Sequence, residues 1–271
     1  MSNLDEFIYW INERWAVYEF KESGVMKPWS DDPVFQQTYF CNVHRENDRV
    51  TKWIREVFHA SSLDLPAFNM MLARFVNKPS SLEEMGWPFS DYGATEQGWF
   101  LTTMSQKGAW GGAYIVSTNG NPVPKHEYIS MLLEQAVGRT EQLTNATTCL
   151  AAFNGLKQLT GLASFMSAQI VADLKNTFGH PLQGADDWWT FVAPGPGSLR
   201  GMAWVNEQER TTTSEFAYAI PWLREHVDEQ LDYSVIPRFC NQDLQNCLCE
   251  FDKYCRVKYG TGRSKRKYNG V

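Results

Sequence analysis

The chain has 271 residues, 43% of them hydrophobic and 21% charged, an ordinary globular composition with enough apolar material for a sizeable core. Its net charge of −6 argues against a surface coated with nucleic acid, although the distribution of charge matters more than the sum. No run of about eighteen apolar residues exists to span a membrane, and the acidic start MSNLDEF lacks the apolar stretch of an export signal.

In chain order, Phe7, Ile8, Ile11, Trp15 and Tyr18 recur at helical spacing and predict a helix over 4–20, closed by Gly24. Lys27-Pro28-Trp29-Ser30-Asp31-Asp32-Pro33 reads as a rigid polar loop, with two prolines fixing backbone angles and Ser30 or Asp31 available as a cap. Further helices are predicted over 34–39, 48–58, 65–76 and 81–85. Residues 86–120, rich in Gly, Trp and Ser, read as the least regular part, with strand-like alternation only over 113–117. Helices follow over 125–139, 141–153, 165–176, 215–232 and 241–258. With no internal repeat and no long linker, the expectation is an all-α fold in a single helical domain over 1–271, with two lobes and a cleft between them as its variant.

The six Cys predict a reducing compartment without disulfides. Four lie between Cys240 and Cys255, but Cys247 and Cys249 form C-x-C rather than C-x-x-C, so packed thiols are favoured and no metal site is expected. Eleven Trp fill a core or build base-stacking platforms; Trp29, Trp188 and Trp189 are the candidates. The stretch with Lys253, Arg256, Lys258, Arg263, Lys265, Arg266 and Lys267 is locally basic, and reads either as a solvated tail or as a set of phosphate contacts.

Two segments point toward anions. Leu159, Gly161, Leu162 and Ala168 fall where a helix-hairpin-helix motif places Leu, Gly, an aliphatic residue and Ala. Backbone N–H groups around Gly161, Ala163 and Ser164, at the start of the second helix, would then grip a DNA phosphate without reading sequence. Ala163 departs from the motif, which usually has a second Gly, and an ordinary helix–turn–helix packing unit stays open. Ala193-Pro194-Gly195-Pro196-Gly197-Ser198-Leu199-Arg200-Gly201 reads as a Gly/Pro loop in which amides converge on an anion beside the forked charge of Arg200. It has no G-K-[ST], which disfavours a kinase built on a P-loop.

The hairpin resembles that of helix-hairpin-helix DNA glycosylases, which implies a glycosylase-like helical domain and a catalytic Asp a couple of dozen residues further on. Asp186 and Asp187 lie at that remove, and Asp173 is nearer, one turn after Gln169. A wider set of strings resembles one family more closely: Trp10-Ile11-Asn12-Glu13-Arg14, the Lys27–Pro33 loop, Cys41-Asn42-Val43-His44-Arg45-Glu46-Asn47-Asp48-Arg49, Gly112-Ala113-Tyr114, the hairpin, the Gly195–Gly197 segment and Cys249-Glu250-Phe251-Asp252-Lys253-Tyr254. That family is the alpha-glutamyl/putrescinyl thymine pyrophosphorylase group of bacteriophages, whose helical domain is shared with 5-hydroxymethyluracil DNA kinases.

The resemblance implies a transferase in thymine hypermodification. Pyrophosphate would be displaced from 5-pyrophosphoryloxymethyluracil in phage double-stranded DNA by the amine of an amino acid, such as glycine, or of a polyamine, in the cytoplasm of the infected cell. The base would be flipped out of the stack. Arg14, Lys27, Asn42, Arg45, Arg49, Gln169, Gly195, Gly197, Ser198 and Arg200 are the expected substrate-binding residues. Asp187 or Asp173 is the expected base, and Gly161, Ala163, Ser164, Lys253, Arg256, Arg263, Lys265 and Arg266 are the expected DNA contacts. No cofactor is expected; a divalent ion accompanying the pyrophosphate stays open. A base-excising glycosylase and a non-catalytic binder of modified DNA are the alternatives.

Overall fold

The structure is a computed structural model that describes residues 2–59, 65–114 and 116–263. Among these residues there are thirteen α-helices, two short 3-10 turns and no β-strand. In order the helices are α1 (Asn3–Glu22), α2 (Pro33–Gln37), α3 (Arg49–His59), α4 (Pro66–Val76), α5 (Pro79–Glu84), α6 (Ala94–Met104), α7 (Lys125–Ala136), α8 (Arg139–Thr144), α9 (Cys149–Leu156), α10 (Ser164–Leu174), α11 (Pro196–Val205), α12 (Thr213–Gln230) and α13 (Asn241–Lys258). No described helix is long and apolar enough to cross a membrane. The chain divides into two compact units, one of residues 1–48 with 189–271 and one of 49–188.

The first unit is held by α1, α11, α12 and α13. Phe7, Trp10 and Ile11 of α1 meet Met202, Phe216, Leu223, Leu248, Phe251 and Tyr254 in one apolar cluster. The start of α1 is fixed by reciprocal bonds: the Asp5 amide donates to the Ser2 hydroxyl at 3.2 Å, and the Ser2 amide to the Asp5 carboxylate at 2.9 Å. The predicted Gly/Pro loop is instead largely the first turns of α11, because Pro196 stands at the helix start, where its missing N–H costs nothing. Gly197 and Gly201, four apart on one face, let α11 lie against α13. A Cβ on Gly201 would stand 2.0 Å from the Leu248 carbonyl oxygen, and one on Gly197 2.3 Å from the Cys249 sulfur. These two glycines serve helix packing, which gives so much glycine a reason besides an anion.

In the second unit α4 is buried on every side, from Ala67 to Val76. Its polar residues are therefore paired. Asn69 donates to the Phe89 carbonyl at 2.8 Å and accepts the Phe89 amide at 2.9 Å. The amide of Phe68 donates to Glu141 of α8 at 2.9 Å, so that carboxylate caps α4, and burial raises its pKa above the usual range.

Three further predicted elements differ. The helix over 141–153 is two helices broken at 145–148, because Thr148 caps a new start by accepting the Ala151 amide at 3.2 Å. The irregular stretch over 86–120 contains α6. The alternation over 113–117 forms no strand in its described residues, and residue 115 lies outside them.

Candidate functional site

In the first unit α1 delivers Arg14 to the loop that follows α2. Arg14 Nε donates to the Cys41 carbonyl at 2.9 Å and Nη2 to the Asn42 side-chain oxygen. Asn42 passes the contact on, its side-chain amide donating to Asp48 Oδ1 at 3.1 Å. Arg14 is 5% exposed, and its Nη1 is buried with no acceptor. Burial pushes the Asp48 carboxyl above its ordinary pKa, against the opposing pull of the Asn42 amide, Arg45 and Arg14. Arg45, buried too, is fixed through its backbone amide, which donates to Asp243 of α13 at 3.0 Å, while its side chain meets Glu46 at 3.1 Å. Three expected substrate residues, Arg14, Asn42 and Arg45, are thus gathered around one perturbed carboxylate. Such an array can offer N–H donors to an anion and a base to an acid.

The other expected residues of this unit are spread more widely. Lys27 is exposed, its ammonium 5.3 Å above the Trp29 ring, and Trp29 is half-buried. The Gly195 amide donates to the Ser198 hydroxyl at 3.0 Å, so this pair closes the start of α11 on itself. Arg200 is half exposed and binds Asp252 Oδ2 at 3.0 Å, an oxygen that also takes Arg256 at 3.1 Å; Asp252 Oδ1 is buried with no donor. Lys253 meets Glu250 at 2.5 Å, and that carboxylate also accepts the Cys41 amide at 2.9 Å. Lys258 pairs with Glu6. Lys253, Arg256 and Lys258 are therefore offset by carboxylates of the same unit. Arg263 is exposed, and Lys265, Arg266 and Lys267 lie outside the described residues. Trp189 is half exposed, with the Arg238 guanidinium 6.0 Å from its ring.

In the second unit α9 and α10 form the predicted hairpin. Gly161 sits at φ +86°, where only glycine is at ease, and a Cβ there would stand 2.3 Å from Leu132. Leu159, Leu162 and Ala168 are buried, whereas Ala163, Ser164 and Phe165 are exposed, and no side chain caps α10. Arg49 is exposed at the start of α3.

Both expected bases are otherwise engaged. Asp187 accepts the amides of Cys149 at 2.6 Å and Leu150 at 2.9 Å, so it caps α9 with both oxygens. Asp173 grips Arg74 of α4 through two bonds of 2.6 Å, both side chains being shut from solvent. Gln169, one turn earlier, accepts the Tyr114 hydroxyl at 3.1 Å. Trp188 is held in place by its indole N–H, which donates to the Lys175 carbonyl at 2.8 Å. Sequence reasoning passed over Arg74 and Asp48. Arg74 had a signal, a lone Arg in the apolar run Met70-Met71-Leu72-Ala73-Arg74-Phe75-Val76. Among the described residues no group of three or more His, Cys, Asp or Glu is placed to hold a metal ion.

An all-α chain with a helical hairpin in one unit and a guanidinium–amide–carboxylate array in the other now has a family to be set against. The family described as 5-hmdU DNA kinase, helical domain, matches residues 1–264. The chain belongs to that family. No curated protein and no solved structure matches it.

Proposed function

We propose that this protein is a DNA-modifying transferase that displaces pyrophosphate from 5-pyrophosphoryloxymethyluracil in phage double-stranded DNA with an amine. Membership of a family named for kinases of 5-hydroxymethyl-deoxyuridine in DNA carries the substrate class.

The array around Asp48 suits that chemistry. The amine nitrogen attacks the exocyclic methylene carbon, the C–N bond forms, and the C–O bond to pyrophosphate breaks with its electron pair leaving on oxygen. The attacking nitrogen sheds a proton, for which Asp48 is the proposed acceptor in place of Asp187 and Asp173. Arg14 and Arg45 would stabilise charge gathering on the leaving group, with Lys27 and Arg200 as further donors. Amides at the start of α10, beside Ala163 and Ser164, would hold a DNA phosphate.

The test is a nucleoside mass spectrum. DNA containing 5-hydroxymethyluracil is treated with a matching kinase and ATP, then with this protein and a mixture of amino acids and polyamines. A new nucleoside whose mass equals the methyluracil framework joined to one amine is the expected result. An unchanged pyrophosphorylated nucleoside would turn the reading toward a binder, and release of the modified base with abasic sites toward a glycosylase.

A further inference from the structure

A groove of about 620 Å³ opens within the first unit, between α1, α2 and the last turn of α13. Its volume is within the range of roughly 300–1,000 Å³ usual for small-molecule sites. Val34 and Val257 supply apolar wall, and the polar lining comes from Tyr9, Asp31, Asp32, Gln37 and Lys258. The wall is fixed before any ligand arrives. Asp32 accepts the Val34 amide at 2.7 Å and the Tyr254 hydroxyl at 2.8 Å, and the Asp32 amide donates to the Ser30 hydroxyl at 3.0 Å. Gln36 donates to the Ser30 carbonyl at 3.0 Å, which ties the loop to α2. A preformed wall of this kind spares a ligand the cost of ordering it.

The signs of the lining charges decide what fits. The ammonium of Lys258 is bonded to Glu6, which offsets it. Asp32 is bonded only to neutral donors, and Asp31 is exposed with no cation paired to it among the described residues. The lining therefore carries two carboxylates that no neighbouring cation neutralises. Tyr9 reports the same field: burial first, then Glu13, Asp32 and Asp31, push its hydroxyl up to about 12. An anion would be repelled here. A cation with a short aliphatic stem would meet carboxylate, an aromatic face and apolar wall at once.

We infer that this groove is a binding site for a protonated aliphatic amine, held by Asp31 and Asp32 with its stem against Val34, Val257 and the Tyr9 ring. Resting on the function proposed above, the ligand is the amine co-substrate held before transfer. A diamine suits this lining, because it brings positive charge and an aliphatic stem without a carboxylate of its own. An α-amino acid would bring its own carboxylate into the same negative field.

The experiment is a ligand-observed NMR titration of the full chain with propylamine, putrescine, glycine and acetate, without DNA. Propylamine and putrescine are expected to bind, acetate not to bind, and glycine to bind more weakly than propylamine. Asp31→Asn should raise the amine Kd by about tenfold, while Asp232→Asn, an exposed carboxylate elsewhere in the unit, should leave it unchanged. Absence of amine binding, equal binding by Asp31→Asn, or glycine or acetate binding as tightly as propylamine would overturn the site. Because no DNA is present, such a failure leaves the transfer reaction standing. Amine binding without a new nucleoside in the mass spectrum would instead sink the reaction and leave the groove.

Discussion

Replacing Asp173 by Asn separates a structural anchor from a catalytic base. Asp173 and Arg74 are 0% and 1% exposed, and two bonds of 2.6 Å join them. Arg74 keeps a bond of 3.0 Å to Thr51 and one of 3.4 Å to Asn77, but neither partner carries charge. Asp173→Asn therefore leaves a guanidinium buried and uncompensated, which costs about 3–5 kcal/mol. Set against a total of about 5–15 kcal/mol for a domain, that is a large fraction. Urea unfolding followed by helical circular dichroism would show the midpoint fall sharply at an unchanged slope. The double variant Arg74→Met with Asp173→Leu is expected to be more stable than either single change, because both desolvated charges leave together. Stability of Asp173→Asn within about 0.5 kcal/mol of the parent, with turnover lost, would refute the anchoring role and return Asp173 to the chemistry.

Four further outcomes follow from other contacts. Gly201→Ala should cost about 3 kcal/mol, the upper end for overpacking, since the clash at 2.0 Å is with backbone. Gly197→Ala should cost less, because it meets the Cys249 sulfur, and Cys249→Ala should rescue it in thermal melts. Asp187→Ala should cost about 1–2 kcal/mol through loss of the α9 cap, with Asp187→Asn nearer the parent; a full loss of turnover by a normally folded Asp187→Asn would show that capping is not its whole role. His180 is buried and accepts the Leu182 amide at 3.2 Å, and burial lowers its pKa from 6.5 to about 4. The unfolded chain thus takes up a proton below pH 6.5 that the folded chain refuses. His180 contributes its full stability above that pH and loses about 3 kcal/mol as pH falls toward 4. His180→Asn, which keeps an acceptor, should flatten that part of the stability–pH curve, and an unchanged slope would place the titration elsewhere.

Much of the helical layout was legible because each helix buries one side and local signals mark its ends. The predicted bounds of α13 coincide with Asn241–Lys258, a segment with Asp243 in its first turn and Arg256 and Lys258 in its last. The α8–α9 break was missed because apolar spacing runs on through it, while the Asp187 carboxylate that helps start α9 comes from 38 residues later. Distance along the chain also hid the site. Arg74 and Asp173 are 99 residues apart, and Cys41 and Glu250 are 209 apart, so no window of sequence holds both partners. The Asn42–Asp48 contact spans only six residues, and the string containing it was recognisable as a unit.

Charge and glycine counts are incomplete for a related reason, since neither records where a partner sits. Lys253, Arg256 and Lys258 look like a basic patch in the sequence, yet Glu250, Asp252 and Glu6 meet them within the fold. Gly197 and Gly201 look like an anion cradle, yet their missing side chains are filled by Cys249 and Leu248. A group already satisfied by the protein gains little from a phosphate, because it must first give up its partner. The same reasoning turns attention to donors left open. At the start of α10 no side chain caps the first amides and Ser164 is exposed, so a phosphate there would displace only water. Arg14 Nη1 is the counterpart in the other unit, a buried donor without an acceptor. Those two places, rather than the basic helix end, hold donors that no protein acceptor among the described residues has taken.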